Sequence, residues 1–210
     1  MNGNKVYGAH FEGGMGYRNN TAQNVPKGNN PEVIYMVTSG LYYNDKCCHD
    51  YGNAETDSRD HGPGTMECVY FGNLEFDRRK GNGTGPWIMA DLESGLYPSN
   101  SSFNPNNIPM PYDFVTGMVK GNSIDNFVLK AGDATSPAPL LKMYDGPRPS
   151  GSSGNYYPMR KQGAIALGSG GDGSAGSVGL FFEGVMTAGF STDDVDVAVQ
   201  NNIAQAGYGK

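Results

Sequence analysis

The sequence predicts an all-β chain, a sandwich or a barrel, followed by one C-terminal helix. Three observations carry this. Glycine and proline punctuate the chain throughout, with 32 Gly and 13 Pro in 210 residues. Between them lie short runs rich in aromatic and β-branched residues, the composition of strands joined by turns. A single stretch near the C-terminus repeats its apolar residues with helical spacing.

Taken in order, the strand candidates are "EVIYMVTSG", "MECVYFG", "GPWIMADLE", "DFVTGMVKG", "NFVLKAG", "GAIALGSG" and "VGLFFEGVMTAGF". The segments "NGTGP", "PSNSSFNPNNIPMP" and "DGPRPSGSSGN" have turn and loop composition. The helix is expected to start at Thr192 as N-cap, with Asp193 and Asp194 in its first turn, where the helix dipole favours anions. Val195, Val199 and Ile203 form its apolar stripe, and Gly207 is its stop. No fixed-period repeat or long linker divides the chain, so residues 1–210 read as one domain.

Charge and hydropathy exclude several function classes. The formal net charge is -6, and the 15 Lys and Arg form no basic stripe interleaved with aromatics, so nucleic acid is not an expected partner. No apolar run reaches membrane-spanning length. The opening "MNGNKVYGAH" has no signal-peptide segment, yet three sequons, at Asn19, Asn82 and Asn100, fit a secreted protein. Three histidines and many serines make no triad, and no nucleophile elbow leads from strand to helix.

The carboxylates are more informative. Side chains alternate faces along a strand, so in "GPWIMADLESGLY" Ile88, Ala90 and Leu92 point into a core. Trp87, Met89, Asp91 and Glu93 then share the opposite face, which is either a solvent-facing polar stripe or the floor of a sugar-binding cleft. In "GAIALGSGGDGSAG" a strand runs into a glycine-rich loop with one charge, Asp172. That loop is either an Asp-Gly turn or the seat of a general acid; no Gly-Lys-Ser/Thr follows to make it a phosphate loop. Glu67 and Glu183 are read as structural strand carboxylates.

Two of the three cysteines are neighbours, in "CCHDYGNAETDSRD". A zinc site would draw on Cys47, Cys48, His49, His61 and Cys68, but adjacent cysteines rarely serve one metal well. A vicinal disulfide or two free thiols are the alternatives. Cys68 reads as a buried small hydrophobe.

In chain order, "GYRNN", "YYNDKCCHDYGNAETDSRD", "GPWIMADLESGLY", "FVTGMVKG", "YDGPRP", "KQGAIALGSGGDGSAG" and "FFEGVMTAGF" resemble the catalytic domain of the fungal alpha-L-arabinofuranosidase B type, glycoside hydrolase family 54. The likeness runs from about Asn2 to Tyr208. It implies a lectin-like (jelly-roll) β-sandwich and a retaining glycosidase that releases terminal alpha-L-arabinofuranosyl groups from arabinoxylan or arabinan of plant cell walls. It also implies roles for particular residues. Glu93 is the nucleophile and Asp172 the acid/base. Cys47 and Cys48 form a vicinal disulfide at the sugar subsite, and Asp91 and Gly171 contact the sugar. No metal or organic cofactor is implied, and secretion is.

The chain departs from the family pattern at Ser94, where relatives usually carry a substrate-touching Asn, and at Gly173, where they also carry Asn. A Trp of the family has no equivalent in "LEFDRRKGNG". Family members also carry residues before the point matching Met1 and a C-terminal arabinose-binding trefoil, so the resemblance implies an N-terminally incomplete domain. A non-catalytic carbohydrate-binding sandwich is the alternative reading.

Overall fold

The computed structural model describes residues 7–152 and 154–210. The first six residues, where the leader-segment reading falls, and Ser153 of one predicted loop lie outside them. Fourteen strands and one helix run in the order β1 (Ala9–Glu12), β2 (Tyr17–Asn19), β3 (Glu32–Ser39), β4 (Asp50–Ala54), β5 (Glu67–Gly72), β6 (Lys80–Gly81), β7 (Trp87–Asp91), β8 (Leu96–Tyr97), β9 (Phe103–Asn104), β10 (Phe114–Gly121), β11 (Phe127–Asp133), β12 (Leu141–Gly146), β13 (Ala164–Leu167), β14 (Val178–Ala188) and α1 (Asp193–Ala206). Two six-stranded sheets form a sandwich, ordered β1-β14-β3-β10-β11-β12 and β2-β13-β4-β5-β7-β8; β6 and β9 make a small parallel pair. Every pairing within the two large sheets is antiparallel.

All seven predicted strands are present. The reading missed β1, β2, β4 and β12, besides the two-residue strands. Their sequences explain why: "DYGNA" and "LKMYDG" are short, polar and glycine-bearing, and their strand state is set by pairing with neighbours rather than by propensity.

The core lies between the sheets. Ile34 and Met36 of β3, Val115 and Val119 of β10, and Phe127 and Leu129 of β11 meet Val69 and Phe71 of β5 and Ile88 and Ala90 of β7. A buried ionic group closes one end of it. Lys161 Nζ sits 2.9 Å from both Glu32 and Glu67, and Arg148 3.3 Å from Glu67. Glu67 is therefore structural, as read. Its lysine and arginine partners hold its carboxyl below the usual range against the effect of burial.

The helix covers the outer face of the first sheet. Thr192 caps it by accepting from the Val195 N–H, and Gly207 ends it in the left-handed region at φ 81°. Its buried face is rotated from the expected stripe. Val195 is 50% exposed, whereas Asp196, Gln200 and Ile203 are buried. The reason is electrostatic: Lys120 and Lys130, buried on the outer face of β10 and β11, both reach Asp196, at 2.7 and 2.6 Å. Two buried ammonium groups need a carboxylate, and that need orients the helix.

Candidate active site

The second sheet presents its outer face to the site. As the alternation of β7 requires, Ile88, Ala90 and Leu92 enter the inter-sheet core, while Trp87 and Met89 pack on the outer side with Cys48, Tyr70 and Leu96. Asp91 and Glu93 continue that outer row and are nearly buried, at 6% and 5% exposure. The polar-stripe reading of this face is thereby overturned: solvent does not cover it. Trp87 is wholly buried beneath the row, its indole N–H donating to Asn82 O at 2.7 Å.

Past β7 the chain turns at once. Leu92 N–H donates to Gly95 O, and Asp91 pairs with Leu96 of β8. Glu93 and Ser94 are the two central residues of this hairpin turn. Glu93 N–H donates to Asp91 Oδ1 at 3.1 Å, which ties the Asp91 carboxylate to the backbone of the turn. Ser94 Oγ donates to Asp60 at 3.3 Å.

The glycine-rich loop after β13 arrives opposite. Gly170 N–H donates to Ser174 O, Gly173 N–H to Gly170 O, and Ser174 N–H to Asp172 Oδ1 at 2.8 Å, so the loop is a closed turn holding an exposed Asp172. Arg18 of β2 clamps it: Nη1 donates to Gly170 O at 2.8 Å and Nη2 to Glu55 O at 2.6 Å. Gly176 N–H donates to Cys47 O at 2.7 Å, fastening the loop to the cysteine pair. Gly171 is buried, and a Cβ there would collide with Glu55 Oε2, Glu93 Oε2 and Met66 Sδ. Only glycine lets this backbone pass so close to the carboxylates.

Cys47 Sγ and Cys48 Sγ lie at disulfide distance, while Cys68 is free and buried. Cys48 Sγ is 3.4 Å from Asp91 Oδ2, and Ser174 Oγ is 3.6 Å from Cys47 Sγ. The zinc reading fails on geometry. His49 turns away to Thr38 Oγ1 at 2.9 Å, His61 pairs with Asp57 at 3.1 Å, and Cys68 contacts Asn53 O. Among the described residues, the one grouping of metal-ligand types is Cys47, Cys48 and Asp91, and its two sulfurs are bonded to each other rather than thiolates.

Cys47, Asp91, Glu93, Ser94, Gly171 and Asp172 thus line one cleft of about 90 Å³, with Asp60, Met66, Phe76, Leu96 and Ser174. Cys48 lies under it. A larger hollow of about 410 Å³, lined by Asp77, Arg79, Tyr97 and Ser150 among others, holds none of these groups. Arg79 stands between the two hollows, its guanidinium 4.6 Å from the Tyr97 ring and 5.7 Å from that of Phe76.

Sequence reasoning missed Asp50 and Glu55. Both come from "CCHDYGNAE", where alternation from Cys48 puts Asp50, with Gly52 and Ala54, on the site face; Glu55 follows the end of β4, where alternation gives no signal. Asp50 faces Asp91, and Glu55 faces Glu93. No donor group among the described residues reaches either Asp50 oxygen, Glu55 Oε2 or Glu93 Oε2. Burial pushes Glu93 up to about 10, with the Asp91 charge and the bond to Glu55 adding to it. Burial also pushes Asp91 up to about 7, held back by its bonds to Asp50 and to the Glu93 N–H. Asp50 is driven well above the carboxylate range, first by burial and then by the Asp91 charge. Like charges packed this closely cannot all ionise, so protons stay in the cluster.

The family model described as alpha-L-arabinofuranosidase B, catalytic, matches residues 1–209. The chain belongs to that family. It is 48% identical over 209 residues to the probable alpha-L-arabinofuranosidase B of Aspergillus fumigatus, a match covering 99% of this chain and 40% of that protein. Against the alpha-L-arabinofuranosidase B of Aspergillus niger it is 47% identical, covering 99% and 41%. Among solved structures, an arabinofuranosidase complexed with arabinofuranosyl-alpha-1,2-xylobiose superposes with a TM-score of 0.93 at 45% identity, covering 98% of this chain and 42% of that one. A GH54 alpha-L-arabinofuranosidase soaked with a cyclic sulfate inhibitor gives 0.92, again at 45% identity and with coverage of 98% and 42%. The chain therefore spans about two fifths of the length of these relatives. Its sandwich agrees with the fold the resemblance implied.

Proposed function

We propose that the chain is a retaining alpha-L-arabinofuranosidase acting on terminal arabinofuranosyl groups of arabinoxylan or arabinan. The observation that carries this is the convergence of Glu93 and Asp172 on one small cleft floored by the paired cysteines. They come from different turns, after β7 and after β13, in distant parts of the chain, and fold alone would not require them to meet. A cleft this small leaves no room for more than one sugar ring, which favours removal of terminal groups. The larger hollow beyond Arg79 offers room for the polymer that carries the arabinose.

In this reading Glu93 attacks the anomeric carbon and Asp172 gives a proton to the leaving oxygen. Asp172 then takes a proton from water, which releases the glycosyl-enzyme ester with net retention. Exposure suits Asp172 to this exchange, and its Oδ1 is already aimed by the Ser174 N–H. Asp91, Ser94 and Gly171 bind the sugar, and the Cys47–Cys48 pair supports its less polar side. The chain works as one catalytic sandwich over residues 1–210, in a secreted protein whose disulfide persists outside the cell. An N-terminal segment like that of the relatives would cover sheet edges such as β1 and β12.

The test is turnover of 4-nitrophenyl alpha-L-arabinofuranoside, with the anomer of the first-formed product read by NMR. Retention, and loss of at least about a thousandfold in kcat for Glu93→Gln, are expected. Binding of arabinose oligomers without turnover by the unaltered chain would instead establish a carbohydrate-binding module.

A further inference from the structure

A nucleophile must be an anion, yet Glu93 lies nearly buried among acidic groups that favour its protonated form. Something must take its proton. The groups facing it are Asp91 from β7, Asp60 from the loop after β4, Asp172 from the loop after β13, and Glu55 at the end of β4. Asp91 accepts from the Glu93 backbone and faces Asp50, so its oxygens are already engaged. Asp60 is exposed and accepts from Ser94 and from the Gly62 N–H. Asp172 has its own proton to deliver under the reading above.

Glu55 differs from all of these. It is wholly buried, its Oε2 and Glu93 Oε2 both flank the space a Gly171 Cβ would fill, and the two carboxyl groups are within hydrogen-bonding reach of each other. Among the described residues neither oxygen has any other donor. Its remaining oxygen, Oε1, meets the Thr65 hydroxyl. That hydroxyl also lies 2.7 Å from Gly62 O. One hydroxyl carries one proton, so it can serve only one of these two acceptors at a time.

We propose that Glu55 is a positioning residue for Glu93: one proton is shared between their Oε2 atoms, and Glu55 holds it while Glu93 attacks. The inference rests on Glu93 being the nucleophile. In one state Glu93 carries the proton and donates to the Glu55 carboxylate, which also accepts from Thr65. In the other the proton has crossed to Glu55, which donates back to the Glu93 carboxylate, and the Thr65 hydroxyl turns to Gly62 O. Charge and proton number are the same in both, so the nucleophile is freed without drawing a proton from solvent. When water later cleaves the ester, Glu93 leaves as the carboxylate and the first state can re-form.

The experiment follows covalent labelling of the folded chain by an arabinofuranose-configured cyclic sulfate. Its sulfate leaves without protonation, so the rate reports the ionised fraction of the nucleophile rather than the state of Asp172. The labelled peptide is identified by mass, and the labelling rate is measured against pH for the unaltered chain, Glu55→Gln and Thr65→Val. Gln at 55 donates permanently and cannot return a proton, so the pH midpoint should fall by about one unit or more. Val at 65 keeps the side-chain volume but removes the donor that favours the Glu55 anion, so the midpoint should move the same way by less. If Glu55→Gln does not fold, Thr65→Val decides alone. Label on Glu93 with midpoints unmoved in the folded variants overturns this inference and leaves the nucleophile standing. Label on another carboxylate overturns the assignment of Glu93, and this inference with it.

Discussion

Glu93 and Ser94 both have positive φ, 66° and 54°, at the centre of the hairpin turn that joins β7 to β8. Two-residue hairpin turns of this kind favour Asn and Gly, because other L-residues lose energy in the left-handed region. Backbone strain held by its surroundings is common where a side chain must be aimed. Under the proposed reading Glu93 is needed for its carboxylate, so relief is available only at Ser94. Ser94→Asn should stabilise the chain by about 0.5–1 kcal/mol, raising Tm by roughly 1–4 °C in a thermal melt. An unchanged or lower Tm would mean that the bond from Ser94 to Asp60 outweighs the strain. At Asp172, replacement by Ala should slow substrates with poor leaving groups far more than activated aryl ones, which need little protonation. Equal slowing of both in steady-state kinetics removes Asp172 from the acid role. The cysteine pair closes a ring between adjacent residues, which takes little entropy from the unfolded chain. Changing both to Ser should therefore raise KM while moving Tm by no more than about 2 °C. Alternation along β7 was enough to place Asp91 and Glu93 on one face. It said nothing of Asp50 or Glu55, whose importance comes from facing those two across the sheet, and facing depends on register.

The helix α1 shows the same limit at the next level of structure. Its caps were plain from Thr192 and Gly207, because capping is a local event. Its buried face was not, since that depends on two lysines more than 60 residues away in the chain. Lys120 and Lys130 are 2% and 4% exposed, and Asp196 is 3% exposed. Asp193, on the open side, adds a 2.7 Å bond to Lys130, and its lysine partners draw its carboxyl down to about 2. Asp196→Ala leaves two buried ammonium groups short of a counter-charge and should cost about 3 kcal/mol or more. Thr192→Ala removes only one cap and should cost about 1 kcal/mol. Chemical denaturation of the two variants measures the difference; equal losses would show that the helix is held by Ile203 and Tyr208 packing instead.

Across the molecule, buried acids set how stability varies with pH. Asp50, Asp91 and Glu93 bind protons more tightly in the folded chain than in the unfolded one. Their contribution is full below the unfolded carboxyl range, about 4, and is lost as pH rises through their folded values. His49 opposes them. Burial lowers it to about 4, so its share is present above about 6.5 and is lost as pH falls. Burial likewise raises Glu32 to about 8, so one histidine stands against four buried acids; Tm should decline from about pH 5 towards pH 9, and Glu93→Gln should flatten that slope. A Tm that rises over this range would contradict the buried cluster. The sheet architecture followed from turns and apolar runs because each strand announces itself locally. The marginal strands β1, β2 and β12 and the interior β4 did not, because they are held by neighbours rather than by their own composition.

The position of β13 and β14 bears on how the protein is made. Each is inserted between an early strand and a later one: β14 between β1 and β3, β13 between β2 and β4. During synthesis β1 and β2 therefore emerge before β14 and β13, the strands they bond among the described residues, and those strands lie in the last quarter of the chain. Asp172 arrives in that same final segment. A nascent chain halted before residue 160 should be open to protease at both early strands and inert towards an arabinofuranosyl electrophile, and release of the full chain should end both conditions together.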